Sequence, residues 1–393
     1  MTLNAILNLK PEHETLADTV REFAKREIAP QYPDSNVSVE FNRQLFRELA
    51  GIDLLGATVP QEFRGAGMDT VASIIIHEEM AKADPGFTLS YLAHSLLFVH
   101  NLSVNGSDEQ KRRYLDKVIN GEWLAGMAMT EPEGGSDFFN MRTTAVRHGD
   151  NWILNGQKSF ITNYDGDVFL VYAKTGDTSS VFIVESGYEG FSKGRSYSGK
   201  LGLKSSSWGD IHLDNCKVPA ANLVGQVGDG KKSAFNILEI ERLGLAAISY
   251  GIAQRCYDEM LQHSTRESST RNRSIDHGLI GFYVASALGD IENGRPALYD
   301  FARFVDKQNA SGQTQEDNRL RIMRANLIKA NATPIAERIA RNALQVQAAQ
   351  GYAGEGYVAG RFLTDQFGIS IGGGPLEVLY AYVAKQLANG RRI

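Results

Sequence analysis

The hydrophobic period of this chain changes twice, and that double change limits the possible folds more than any other feature. From about Pro11 to Gly121, "HETLADTVREFAKREIA", "FNRQLFRELAG" and "DTVASIIIHEEMAKA" carry apolar residues three and four apart, the spacing of a helix face. Between them "VPQEFRGAGMD" reads as a glycine-punctuated loop. From Leu124 the apolar runs become short and β-branched or aromatic: "NWILNGQKSFITN", "DVFLVYAKT", "SSVFIVES" and "DIHLDNCKVP", parted by Gly, Asn and Asp turns. Helical spacing returns after Gly230 in "SAFNILEIERLGLAAISYGIAQRCYDEMLQ" and persists to the end of the chain. The order predicts an α+β chain in three blocks: helices over 1–122, strands over 123–229 and a helical bundle over 230–393.

With 393 residues, 42% of them hydrophobic and 22% charged, the chain can bury a substantial core in each block. A net charge of −5 and only short basic clusters, such as Lys111 to Arg113, argue against a nucleic-acid partner. Two cysteines, Cys216 and Cys256, give no disulfide framework. No apolar run has membrane-spanning length, and "MTLNAILNLKPEHETL" lacks the basic start and apolar centre of a signal peptide. The expected location is therefore the cytoplasm. The histidines are scattered without ligand spacing and no Gly-x-Ser-x-Gly elbow occurs, so neither a metal site nor a serine nucleophile is expected.

Three short stretches stand out chemically. In "GISIGGGPLEVLY", Gly372, Gly373 and Gly374 lie between a strand-like apolar piece and a helix entered at Pro375. Such a loop is either a flexible turn or a place where bare N–H groups approach an anion or a polarised carbonyl. In "KSFITN", alternation sends Phe160 and Thr162 to one face, which suits a flat ligand or an ordinary strand surface. The Gly-Gly-Ser loop of "MAMTEPEGGSD" follows an apolar strand. Glu241 interrupts the apolar stripe made by Ile237, Leu238, Leu245, Ile248 and Ile252, and is a desolvated base, the partner of an interior Arg, or a residue turned to a solvated edge of the stripe.

In this order, "MTEPEGGSD", "LNGQKSFITN", "VYAKT", "KLGLKSSSWGDIHLDNCKVP" and "ERLGLA" resemble the acyl-CoA dehydrogenase family over nearly the whole chain. The resemblance implies an N-terminal α-helical domain, a central β-barrel and a C-terminal four-helix bundle. It also implies FAD between them, a homotetramer, an acyl thioester of CoA or a carrier protein, and electron-transfer flavoprotein or oxygen as electron acceptor. Met129, Thr130 and Ser136 match flavin-lining positions, with Ser136 also near the substrate's pantetheine arm. Phe160 stands where the family usually has Trp against the flavin, Ile161 follows it, and Thr162 matches the hydroxyl on the N5 side. Glu239 and Arg242 match positions that contact the thioester ligand.

The usual Tyr-Glu-Gly-Thr sequence carrying the family's base is replaced here by "IGGGP", with Gly373 in the Glu position. The isovaleryl branch moves its base to the first bundle helix, where this chain has Glu241, and resembles "LSYLAHS". The resemblance thus implies Glu241 as base, Gly373 and Gly374 beside the thioester, and room for a branched or cyclic acyl group. On the ADP side the match is poorer. "RNRSI" keeps only Arg271 of an Arg-x-Gln-Phe-Gly sequence, "QVQAA" keeps Gln345 but has Ala348 and Ala349 for two glycines, and Pro375 replaces a loop Thr while Glu377 is retained. Weaker FAD binding is expected. The rival readings are other flavin chemistry on the same fold, as an oxidase or monooxygenase, and a flavin-poor non-catalytic homologue.

Overall fold

The computed structural model describes residues 7–32, 41–136, 140–266, 272–311, 315–354 and 356–391. Its first block is helical. Helix α1 (Pro11–Phe23) runs on into a π turn, Ala24–Ile28, and α2 (Arg43–Glu48) starts at Asn42, whose side chain accepts from the Leu45 N–H. Asp69 caps α3 (Thr70–Ala81) and Asp84 caps α4 (Pro85–Leu92) in the same way, each satisfying an otherwise orphaned N–H. Both of these helices are buried at every residue and form the inner layer. A π-helical stretch, Ala93–His100, then leads through α5 (Asn101–Asn105) to α6 (Asp108–Ile119), which opens on a Ser107–Gln110 capping box.

The strands are β1 (Ala125–Ala128), β2 (Thr144–His148), β3 (Asn151–Thr162), β4 (Val168–Thr175), β5 (Thr178–Glu185), β6 (Phe191–Ser196), β7 (Trp208–Pro219) and β8 (Leu223–Val224). They form one mixed sheet in the order β6-β7-β3-β2-β4-β5-β8, with β1 added parallel to β4. Strand β4 shows why its sequence is apolar almost throughout. Val168, Leu170 and Tyr172 pack under helices on one face, while Phe169, Val171 and Ala173 enter the sheet's own core on the other.

This sheet corrects the expectation of a β-barrel: it is not closed. Closure requires the edge strands to pair, and here β6 and β8 lie at opposite ends of the order. Strand β8 has only two residues, and β6 presents exposed Ser192, Lys193 and Arg195. A short edge and a charged edge protect an open sheet without closure. Alternation along single strands carries no information about whether the ends meet.

The last block holds five helices among the described residues where a four-helix bundle was expected. They are α7 (Gly230–Thr265), α8 (Gly278–Ser311), α9 (Gln315–Ala353), α10 (Ala359–Ile371) and α11 (Leu376–Ala388). Every residue of α7 from 237 to 253 is buried, so the apolar stripe read from the sequence is one side of a wholly enclosed helix. The strand-like "GISI" proves to be the last turn of α10, because a four-residue apolar run does not by itself distinguish strand from buried helix. No helix among the described residues is long and apolar enough to cross a membrane.

Candidate active site

Within its buried stretch 237–253, helix α7 presents two carboxylates, two residues apart and hence on different faces, and their surroundings differ sharply. Glu239 forms a bidentate pair with Arg321 of α9: Arg321 Nε donates to Oε2 at 2.7 Å and Nη2 donates to Oε1. Burial raises the Glu239 pKa and Arg321 opposes that rise. Glu241 is as deeply buried, at 8% exposure, yet among the described residues no group donates a hydrogen bond to its carboxylate. Burial lifts its pKa above the ordinary glutamate value, and the charges of Arg242 and Lys329 counteract only part of the effect.

The glycine loop comes to this same carboxylate from 132 residues further along the chain. Gly373 and Gly374 hold φ values of +64° and +103°, which side chains rarely adopt. A Cβ on Gly373 would stand at ordinary contact distance, 3.4 Å, from Glu241 Cδ and Oε1 but only 2.5 Å from Leu245 Cδ1, so glycine is what lets the loop pass Leu245 beside the carboxylate. Arg242 Nε donates to the Gly373 carbonyl at 3.3 Å. No acceptor for the Gly373 N–H is present among the described residues.

Gly244 and Leu245 follow Glu241 by three and four and share its face. At Gly244 a Cβ would lie 2.9 Å from Leu92 Cδ1 and 3.0 Å from Leu96 Cδ1. Leu245 thus lies on the face of the carboxylate, and Leu92 of α4 and Leu96 of the π-helical stretch pack against Gly244, one turn further along that face. Such a site combines a proton acceptor of raised affinity, a spare N–H donor and apolar surface.

A second cluster lies on the sheet. The register of β3 against β7 shifts between Lys158 and Ile161, leaving Ser159 and Phe160 in a bulge. Phe160 has φ +60°, is 50% exposed, and stacks on Tyr197 at a centroid distance of 4.9 Å. A bulky residue in that conformation is strained, and strain of this kind concentrates at functional sites. Ile161 turns inward into the sheet core, while Thr162 remains partly exposed. The Met129–Thr130 backbone is latched beside the bulge by the Ser159 N–H on the Thr130 carbonyl at 2.9 Å and Lys158 Nζ on the Met129 carbonyl at 3.0 Å.

Ser136 is exposed on the loop after β1, and Glu377 is exposed in the first turn of α11. Gln345 lines an open cleft of about 680 Å³ with Arg341, Ala348, Tyr352 and Phe367. It lies roughly 24 Å along α9 from Lys329, so one protomer does not bring it to Glu241. Arg271 falls outside the described residues. Sequence reading missed Lys329 and Arg321, although each is a lone charge amid the buried positions of α9, the same signal that marked Glu241.

Comparison with known proteins agrees with this architecture. Models of the acyl-CoA dehydrogenase N-terminal, middle and C-terminal domains match residues 10–122, 126–216 and 228–388. The mitochondrial isovaleryl-CoA dehydrogenase of Pongo abelii is 32% identical over 386 residues, covering 95% of this chain and 88% of that protein. The butyryl-CoA dehydrogenase structure from Megasphaera elsdenii superposes with a TM-score of 0.89 at 26% identity, covering 99% of this chain and all of that one. An acyl-CoA dehydrogenase from Bacillus anthracis, solved with FAD, gives a TM-score of 0.89 at 30% identity over 97% of this chain and 67% of that one. The chain belongs to the acyl-CoA dehydrogenase family and is an FAD-binding oxidoreductase acting on CH–CH bonds.

Proposed function

We propose that this enzyme dehydrogenates a short branched or cyclic acyl thioester, carried by CoA or a carrier protein, with Glu241 as the base. The observation that carries the reading is the buried Glu241 carboxylate, bare of donors among the described residues, facing the position where a Gly373 side chain would begin. A carboxylate of raised pKa is a stronger acceptor for an α-proton than a surface glutamate. The Gly373 N–H supplies a donor for the thioester carbonyl, where negative charge develops as that proton leaves. Arg242 holds the loop that carries this donor, and Gly374 lets the loop pass. Leu92, Leu96 and Leu245 support a compact apolar acyl group. Glu239 is left out of the substrate contacts, because Arg321 already engages both of its oxygens.

The residues on the sheet fit a flavin ring. An aromatic side chain held outward by a strained bulge, with Thr130 and Thr162 partly exposed nearby, suits a flat heterocycle with apolar faces and a polar rim. Met129, Thr130, Ser136, Phe160 and Thr162 would hold that ring, with Ile161 contributing backbone only. Arg271, Gln345 and Glu377 would face the ADP half, with Ser136 also near the thioester's arm. When bound, FAD supplies the acceptor for the β-hydride. We further assign three domains, 1–122, 123–229 and 230–393, a homotetramer, a cytoplasmic location, and electron-transfer flavoprotein or oxygen as acceptor.

Anaerobic bleaching of the FAD-loaded protein by a thioester panel tests this proposal. Branched or cyclic short acyl groups should give the highest specificity constants. A long linear chain in first place would remove the substrate assignment, and no bleaching by any thioester would remove the dehydrogenase reading of this site.

A further inference from the structure

Lys329 is the least expected charge near this site. It lies in α9 between Ile328 and Ala330 and is wholly buried. Its ammonium donates to three main-chain carbonyls at the end of α10 and in the glycine loop: Ser370 at 3.2 Å, Gly374 at 2.6 Å, and Gly372. Those bonds use all three of its protons. With Arg242 on the Gly373 carbonyl, the carbonyls of all three loop glycines point to buried cations.

No carboxylate bonds the ammonium among the described residues, so the charge is balanced by carbonyl dipoles, by the negative end of α10, and through space by Glu241. Burying an ion on dipoles alone is costly. A neutral amide carries two N–H donors and so could hold at most two of the three carbonyls, which makes an ammonium the donor that fits them all. That charge lies near Glu241 and acts on it as well.

We propose that Lys329 is a positioning residue for the base: one ammonium holds the glycine loop over Glu241 and supplies part of the positive field that keeps the Glu241 carboxylate ionised. Loop shape and proton affinity are then set by the same group. The inference rests on Glu241 acting as the base. The charged and titratable groups near Glu241 are Arg242 on α7, Lys329 from α9 and Tyr172 from β4, with Tyr382 of α11 reached through Arg242. His77 of α3 borders Gly244 and is held neutral by burial, with its pKa down at about 4. Burial also pulls the Lys329 pKa down to about 7, with Glu241 opposing and Arg242 reinforcing the fall. The clamp is therefore charged below neutral pH and weakens above it.

Lys329→Gln removes the charge and keeps part of the tether, because an amide still carries two N–H donors for the three carbonyls. Infrared titration of the Glu241 carboxyl band, identified by its loss in Glu241→Gln, reads the proton affinity without turnover. In Lys329→Gln that titration should move to higher pH by roughly one unit or more, the effect of removing a nearby opposite charge. Flavin reduction on the acid limb should fall about tenfold per unit of that shift. Lys329→Arg should restore the titration even where its larger head slows turnover. Should Lys329→Gln not fold, the reciprocal measurement stands: the Lys329 ammonium, followed by nitrogen NMR, should titrate at lower pH in Glu241→Gln than in the parent enzyme. An unmoved Glu241 band in Lys329→Gln, or an unmoved Lys329 in Glu241→Gln, overturns the proposal and leaves Lys329 a structural clamp. Normal flavin reduction in Glu241→Gln would instead overturn the assignment of the base, an outcome that neither titration can mimic.

Discussion

Glu131 and Glu241 are both buried carboxylates with a buried lysine nearby, and they end in opposite electrostatic states. Glu131 accepts from Lys158 Nζ at 2.8 Å, from the Arg142 N–H at 2.5 Å and from the Thr143 N–H at 2.9 Å. Burial alone would raise its pKa, but these donors outweigh burial and hold it down at about 2. At Glu241 the nearby ammonium spends its protons on loop carbonyls, and burial wins. The difference lies in where the donors point. A carboxylate wrapped in donors is locked in one charge state and serves the fold, whereas one surrounded by charge but few bonds keeps the capacity to take a proton.

The largest expected effect breaks this comparison at its active end. Glu241→Gln should slow anaerobic flavin reduction by the 10² to 10⁴-fold typical of general-base loss, about 3–5 kcal/mol of barrier, with FAD content retained. The same change at Glu131 should barely touch the chemistry per folded molecule. Glu131→Gln leaves the Lys158 ammonium uncompensated, and its expected cost is about 3 kcal/mol in stability, measured by denaturant unfolding. Loss of flavin together with stability in Glu241→Gln would move Glu241 into the structural class of Glu131.

Acidity sharpens the contrast, because the two groups have opposite linkage signs. Glu131 binds its proton less readily folded than unfolded, so its stabilisation is present above about pH 4.5 and is lost as pH falls toward 2. Glu241 binds its proton more readily folded, so its contribution is full below the unfolded value and is lost as pH rises through the folded one. Glu241→Gln should accordingly be more stable than the parent at neutral pH, with the gain shrinking in acid, while Glu131→Gln should be less stable at neutral pH. Thermal midpoints across pH check both signs.

How much of this could be read beforehand follows from how local each feature is. The helix–strand–helix order rests on period, which a strand or helix carries within itself, and it is visible in the sequence. Glu241 was visible as a break in the apolar spacing of its own helix. The open sheet was not, because whether β6 meets β8 depends on chain ends far from each alternating run. What Lys329 holds was equally hidden, although its charge breaks the apolar positions of α9 as Glu241 does those of α7. Its partners at Ser370, Gly372 and Gly374 lie more than forty residues away, and nothing in the local pattern of α9 names them.

The smallest effect is expected away from the base, on the side where the sequence departs most from the family pattern. Ala348 sits within α9 at φ 51° and ψ −132°, a conformation natural to glycine, and it lines the cleft that also holds Gln345. An alanine there stores about 1–3 kcal/mol of strain, whereas the added freedom of a glycine in the unfolded chain costs about 0.5–1 kcal/mol. Ala348→Gly should therefore stabilise the protein by roughly 1 kcal/mol net. If the ADP half of FAD meets this cleft as proposed, the same change should slow the loss of FAD on dialysis, while Glu241-dependent flavin reduction stays as it was. A lowered thermal midpoint would show that Ala348 is unstrained. Unchanged FAD retention with a raised midpoint would confine the effect to the fold and detach this cleft from the cofactor. Faster FAD loss would mean that the alanine methyl is itself a contact, so that the departure from glycine strengthens FAD binding on this side.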